Sequence, residues 1–394
     1  MASPTLLDET YDFSVVLGGP LYQAYRRAHL SGPALELAVR RVIVITAITW
    51  VPLFVLSIAT GTFSGGTQQP FALAIDVHAR LLIALPLLIA TECTVHSRLR
   101  ITVQQFLERG LVPARAQPQF EAALAAAQRL RNSVLAEVIL IAFVYFVGIT
   151  VIWRGVGQLQ VDTWYRQVSN GAHITLPGWW YFFVSLPAFQ FLLFRWYYRL
   201  LVWSWFLWKV SRGPLELVPT HPDRCGGLGF LGLSTLALVP LLFAHGTLFA
   251  GVAGAGILFE KRELVSYWPE LLAATVVLLT VALSPLMIFM PTLFRTKRNG
   301  LMEYGALGQR YVRDFDRKWV RGRTPHEPLL GAADIQSLAD LANSFEVISD
   351  MRLLAVNRRT VLALALAVLL PLVPLIFTVF SPREVIAMLW KGVF

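Results

Sequence analysis

Seven apolar stretches dominate this chain: residues 42–59, 79–96, 134–153, 179–206, 230–258, 269–293 and 361–380. A helix crossing a bilayer needs about 20 mostly apolar residues, and each of these stretches comes close to that length or exceeds it. The expected fold class is therefore all-α, a polytopic membrane helix bundle of about seven transmembrane helices. The second stretch is the weakest, because Asp76, His78 and Arg80 stand at its start and Glu92 near its end. Composition agrees: 15% of the residues are charged and 56% are hydrophobic, whereas soluble domains are about 25% charged.

Lys and Arg set the threading, since loops on the cytoplasmic side retain them. With the N-terminus inside, the segments 1–41, 97–133, 207–229 and 294–360 hold four, six, three and twelve basic residues. The segments left outside hold only Arg154, Arg166, Lys261, Arg262, Arg383 and Lys391. The net charge of +10 thus follows loop sidedness, and the partner it implies is the lipid bilayer, with no nucleic acid. Two cysteines, Cys93 and Cys225, cannot build a disulfide framework. The first apolar run begins after about forty residues with no small-residue cleavage site behind it, so no signal peptide is expected.

Around the spans, residues 1–41 are expected to be a cytosolic or interfacial segment. Its stretch PLYQAYRRAHLSGPALELAVRR mixes Leu, Tyr and paired Arg as a surface-lying helix does. Residues 97–133 are expected as a cytosolic helical loop, with no breaker between Phe120 and the third span. Residues 294–360 form a cytosolic helical hairpin in this reading. Ile335, Leu338, Leu341, Phe345 and Ile348 follow amphipathic spacing and run straight into the seventh span. The stretch 301–320 supplies the partner helix and GRTPHEPLLG the turn between them. Residues 381–394 form an external tail.

Charges inside hydrocarbon are costly and usually face a protein interior or water. Glu92 lies late in the second span and Glu137 early in the third, so both sit toward the inner leaflet. Arg199 of the fourth span falls at a similar depth, with Arg195 one turn deeper. Pairing of Glu92 or Glu137 with Arg199 is expected, either as an ion or proton path open to the cytosol or as a structural ion pair. His245 stands at the middle of the fifth span, where a hydrogen bond to a neighbouring helix is expected rather than haem ligation, because no second histidine shares its depth. Gly246, Ala250 and Gly254 form a small-residue stripe suited to close helix packing. Trp179, Trp180 and Tyr181 are expected to mark one membrane interface and Trp203, Trp205 and Trp208 the other.

Between spans four and five the chain reads PTHPDRCGGLGFLG. Pro219 and Pro222 end the preceding helix, Asp223 is a plausible N-cap for span five, and Gly226 and Gly227 permit unusual backbone. His221, Asp223, Arg224, Gly226 and Gly227 thus form a candidate inner mouth. Cys93 and His96, with His221 and Cys225, carry ligand types that suit tetrahedral zinc, although nothing in the sequence forces the two pairs together; no other cofactor is implied. No catalytic signature of a hydrolase, a P-loop or a zinc protease occurs.

HPDRCGGLGFLG ahead of the fifth span and DIQSLADLANSFEVISDMR ahead of the last, together with the layout, resemble a group of uncharacterised bacterial multi-pass inner-membrane proteins. The resemblance implies the bacterial inner membrane and brings no activity. Three functions are compatible with the residues: a channel or transporter lined by Glu92, Glu137, Arg195 and Arg199; a scaffold or sensor whose cytosolic protein partner docks at 300–358; and a membrane enzyme using His221 and Asp223. A homo-oligomer is compatible with each.

Overall fold

Where water is absent each helix must satisfy its own backbone, and the apolar runs do so as long helices. The computed structural model describes residues 14–30, 37–158, 161–168, 173–322 and 332–378, with the backbone alone for 149 and 151–158. Among the described residues five helices are long and apolar enough to cross a membrane: Ala38–Ala59, Ile75–Glu108, Phe230–Glu260, Leu264–Met287 and Arg358–Ile376. A sixth arises if the bent pair Ala114–Arg131 and Val134–Gly148 is one span. The chain is accordingly an integral membrane protein. With Val134–Gln158 as the third long helix and Phe230–Glu260 as the fifth, the stretch expected as span four is the fourth, helical throughout 176–211. Its Trp and Tyr residues, Gln190, Arg195 and Arg199 dilute its hydropathy, and it is not among the five or six. The external tail 381–394 and the hairpin turn at 323–331 lie outside the described residues.

Two expected continuities are broken. The helix Gln117–Arg131 does not run on into Val134–Gln158; the two meet at a 42° bend. Asn132 and Ser133 cause it: Ser133 Oγ accepts the Ala136 N–H as an N-cap, and Asn132 Oδ1 accepts the Gly19 N–H. Likewise Ala333–Ser349 stops before the seventh span, and 350–357 is non-helical until Asn357 Oδ1 caps the new helix through the Thr360 N–H.

Prolines shape the spans in a repeated way. Pro86 follows a π-helical turn at Ala79–Ala84, and Pro187 follows another at Tyr181–Ser185. Proline lacks the N–H that would close the preceding turn, and a π-turn widens the helix, often at functional sites. The buried layer at mid-bundle comes from Leu81, Leu85 and Leu88 of the second long helix and Phe189, Leu192 and Trp196 of the fourth. The glycine stripe of the fifth packs two ways: Gly246 lies on Val368 and Pro371 of the last helix, and Gly251 on Asp76 and Ala79 of the second.

At one end of the bundle, here the basic end, lie residues 14–27, the helix Gln117–Arg131 and the loop 213–229. At the opposite end the loops 60–74 and 161–168 join through a Gln69–Thr163 bridge, with a two-residue strand pair, Arg166–Gln167 and His173–Ile174. Trp179 and Trp208 are exposed as belt residues, but Tyr181 and Trp203 turn inward and are buried, so the belt is thinner than expected. Met290–Phe315 and Ala333–Ser349 lie antiparallel as a helical hairpin, with Gly300 beside Ile348, Gly305 beside Phe345 and the Tyr311 hydroxyl donating to the Asp334 carbonyl.

Candidate functional site

Five ionised side chains meet near the basic end. Glu92 of the second long helix stands 2.8 Å from Arg199 Nη2, 3.6 Å from Arg195 Nη1 and 2.9 Å from Arg41 Nη2. Arg195 Nη2 reaches Glu137 Oε1 at 3.2 Å. All five are 6% exposed or less, so the charges meet in a medium where an unpaired ion would be prohibitive. The expected Glu92–Arg199 pair is present, and Glu137 takes Arg195 instead. Arg41 is the residue that sequence reasoning missed, because it sits beside Arg40 at the start of an apolar run and reads as an ordinary basic flank. Among the described residues three arginines face two carboxylates, an excess of one positive charge. Arg41 Nε is buried with no hydrogen-bond acceptor among the described residues.

Residues 14–19 are built into this network, while the short helix Pro20–Arg27 that follows them has no buried residue. Ser14, Val15 and Val16 are buried. Arg131 donates to the Ser14 carbonyl, and the Ser14 hydroxyl meets His96 Nδ1 at 2.9 Å. The Gly18 carbonyl accepts from Arg195 at 3.3 Å, and the Leu21 N–H donates to Glu137 Oε2 at 2.8 Å. Gly19 has to be glycine for this approach: its φ is 88°, and a Cβ there would lie 2.8 Å from Glu137 Oε1. In the short helix Pro20–Arg27, the Tyr25 ring packs under Arg41 at 5.3 Å. Burial, reinforced by the Glu92 charge, pushes its phenol up to about 12.

In the HPDRCGG stretch the Asp223 carboxylate is turned into its own loop. Asp223 is not the N-cap of the fifth helix; Gly229 holds that position. Its carboxylate instead collects the turn: Oδ1 accepts from the Cys225 and Gly227 N–H groups at 2.7 and 3.2 Å, and Oδ2 from the Gly229 N–H at 2.8 Å. Burial alone would raise this carboxyl, but the backbone donors of Gly229, Cys225 and Gly227, with the neighbouring His221, hold it below the usual carboxylate range. Positive φ at Gly226 (64°) and Gly227 (98°) turns those amides inward.

The outer side of the turn receives residues 350–357. Arg352 donates from Nη2 to the Asp223 carbonyl and from its backbone N–H to the Arg224 carbonyl, at 2.9 and 2.7 Å. Arg224 pairs with Asp350 at 2.8 Å. The loop is a socket for the strap that leads into the last helix, and the two sequence stretches singled out above meet there. With its carboxylate oxygens engaged by backbone amides, Asp223 is poorly placed for catalysis.

His245 stands apart from the ion network. Its Nε2 lies 2.6 Å from the Tyr197 hydroxyl and its Nδ1 2.7 Å from the Leu241 carbonyl. The quartet Cys93, His96, His221 and Cys225 does not assemble: His96 meets Ser14, His221 lies against Asp223 and Cys225 Sγ faces the Leu354 carbonyl. Among the described residues no three His, Cys, Asp or Glu side chains stand together as metal ligands.

A cavity of about 710 Å³ lies at the opposite end, between the second, fourth and fifth long helices. The two π-turns wall it. Arg80, on the first, donates to the Tyr181 hydroxyl on the second and stands 3.9 Å from Asp76. Trp164, Tyr165 and Tyr267 supply aromatic wall, and Gln190 lines the floor. Gln190 Oε1 is buried without a hydrogen-bond partner among the described residues. The sequence held a signal for this site, an acid and a base four residues apart at the start of an apolar helix. Gln190, inside an aromatic run, gave none.

No protein-family model, no curated protein and no solved structure matches the chain.

Proposed function

We propose that this protein is a transporter-like carrier of a small amphipathic solute bearing both charge signs, with the cavity as its solute site and the buried ion network as its closed gate. The observation that carries the reading is the cavity itself. Its volume falls within the range of small-molecule sites, and it presents an acid, a base, an unsatisfied amide oxygen and aromatic walls together. About 18 Å farther along the same helix, at 1.5 Å per residue from Arg80, Glu92 ties the second long helix to the fourth through Arg195 and Arg199. The dry layer of Leu85, Leu88, Leu192 and Trp196 separates the two. Passage toward the basic end requires those ion pairs to part while the two π-turns absorb the change of helix shape.

Basic-loop asymmetry supports an N-terminus inside, with the cavity facing outward, and the resemblance noted above supports the bacterial inner membrane. The test uses purified protein in liposomes and a panel of radiolabelled zwitterionic amino acids. Uptake above that of protein-free liposomes, lowered by Arg80→Gln and Gln190→Ala, is the expected result. Uptake equal to that of empty liposomes across the panel overturns the reading.

A second reading, a scaffold with its partner at 300–358, is favoured by the apolar side chains exposed along the hairpin: Met302, Leu307, Val312, Ile335 and Phe345. Leu307→Asp with Val312→Asp then abolishes capture of the partner in a pull-down, and a hairpin that captures none in its native form counts against it.

A further inference from the structure

The flank of the fourth long helix near the basic end carries two hollows that meet at one residue. The first, about 450 Å³, lies between the helix Gln117–Arg131 and the end of the fourth helix; Gln119, Lys209 and Arg212 line it with Ala122, Ala126 and Trp205. The second, about 480 Å³, is bounded by Leu130, Tyr198, Leu201, Trp205, Trp208 and Ile288. Trp205 lines both, so the two hollows adjoin along the helix as the two halves of a groove. The order along the helix matters: Tyr198 and Leu201 lie toward mid-bundle, and Lys209 and Arg212 toward its end. Walls therefore change from apolar to cationic along the direction in which a phospholipid changes from acyl chain to headgroup.

The cations are free to bind an anion. Neither Lys209 nor Arg212 makes an ion pair with the described residues, and no Asp or Glu lines either hollow. Both are held in place by aromatic rings: Lys209 Nζ stands 5.5 Å from Trp205 and 5.2 Å from Trp208, and Arg212 stands 5.7 Å from Trp208. Basic pockets between membrane helices on the cytoplasmic side suit anionic headgroups, and an aromatic ring at the polar–apolar boundary suits the glycerol region.

We infer that this groove is a binding site for one anionic phospholipid, its phosphate on Lys209 and Arg212 and an acyl chain between Leu130, Leu201 and Ile288. The site is independent of the solute cavity and of the transport reading. A free phosphate offers the same charge, but it leaves the apolar half of the groove empty.

The experiment measures binding to purified full-length protein in neutral detergent, by retention in native mass spectrometry and by thermal unfolding. The probes are phosphatidylglycerol, phosphatidylcholine and inorganic phosphate. At about 1 kcal/mol per basic residue near a charged lipid, two cations give roughly a thirtyfold preference for phosphatidylglycerol over phosphatidylcholine. Lys209→Ala with Arg212→Ala, both exposed positions, removes that preference while leaving the unfolding temperature in phosphatidylcholine unchanged. Equal retention of the two lipids, or a preference that survives the double substitution, overturns the proposal. Protection by inorganic phosphate equal to that by phosphatidylglycerol also overturns it, in favour of a simple anion site. A chain brominated in its acyl tail supplies a second measure: it quenches tryptophan fluorescence in the native protein, and Trp205→Phe with Trp208→Phe removes most of that quenching.

Discussion

Glu92→Gln keeps the shape of a side chain that is 5% exposed and removes only its charge. Among the described residues of the network two carboxylates face three guanidinium groups, an excess of one positive charge. The substitution raises that excess to two, and the three arginines that stand within 2.8, 2.9 and 3.6 Å of Glu92 lose their common anion. Removing one partner of a buried pair costs about 3–5 kcal/mol, because the other is left charged and dehydrated. The expected loss shifts the unfolding equilibrium by roughly a hundredfold to a few thousandfold. The assay is unfolding in mixed micelles by increasing SDS, followed by tryptophan fluorescence. The internal control is Glu92→Gln with Arg199→Met, which brings the excess back to one. It should lose markedly less than the sum of the two single changes, since residues in one ion network are not additive. A Glu92→Gln protein within about 0.5 kcal/mol of the native one, or a strictly additive double variant, refutes the network as the lock between the helices.

Gly246→Ala places a methyl 2.1 Å from the Val368 carbonyl and should cost about 1–3 kcal/mol by overpacking, read as a lowered unfolding temperature. Gly308→Ala, whose added methyl meets nothing within 4 Å, should instead stabilise by up to about 1 kcal/mol. The same shift from both refutes the packing argument. Asp223 has its native pKa depressed, so its contribution is complete above the ordinary aspartate value of about 3.9 and is lost as pH falls through the lower native value. Amide hydrogen exchange at Cys225, Gly227 and Gly229, corrected for intrinsic rate, should therefore quicken only in strong acid. Acceleration nearer neutrality assigns the loop's hold to another group.

How much could be read in advance follows from whether the physics is local. The placement of the long helices was legible because transfer of apolar residues is a property of each stretch by itself. The Glu92–Arg199 pairing was legible from depth alone. Arg41 was not: Arg40 is exposed and Arg41 is 1% exposed, and adjacent identical residues carry no mark of which one turns inward. Residues 14–19 have no periodicity, and their role comes from His96, Arg131, Asn132 and Arg195 far along the chain. The breaks at 132–133 and 350–357 lack Pro and Gly but hold Asn132, Ser133 and Asn357, residue types that cap helices. The cysteine and histidine pairs showed suitable ligand types, yet spacing within each pair says nothing about the distance between pairs.

The ion network also implies an order of birth. Glu92 enters the membrane about a hundred residues before Arg195 is made, an interval of roughly 5–20 s at ribosomal speed. For that interval Arg41, on the helix already inserted, is the one cation of the network present to accompany it. Arg41 and Glu92 can therefore offset one another in the first two helices, and Glu137 and Arg195 in the helices Val134–Gln158 and Leu186–Ser211. Arg195 and Arg199, on the last of these helices to be made, then join Glu92 to the second pair.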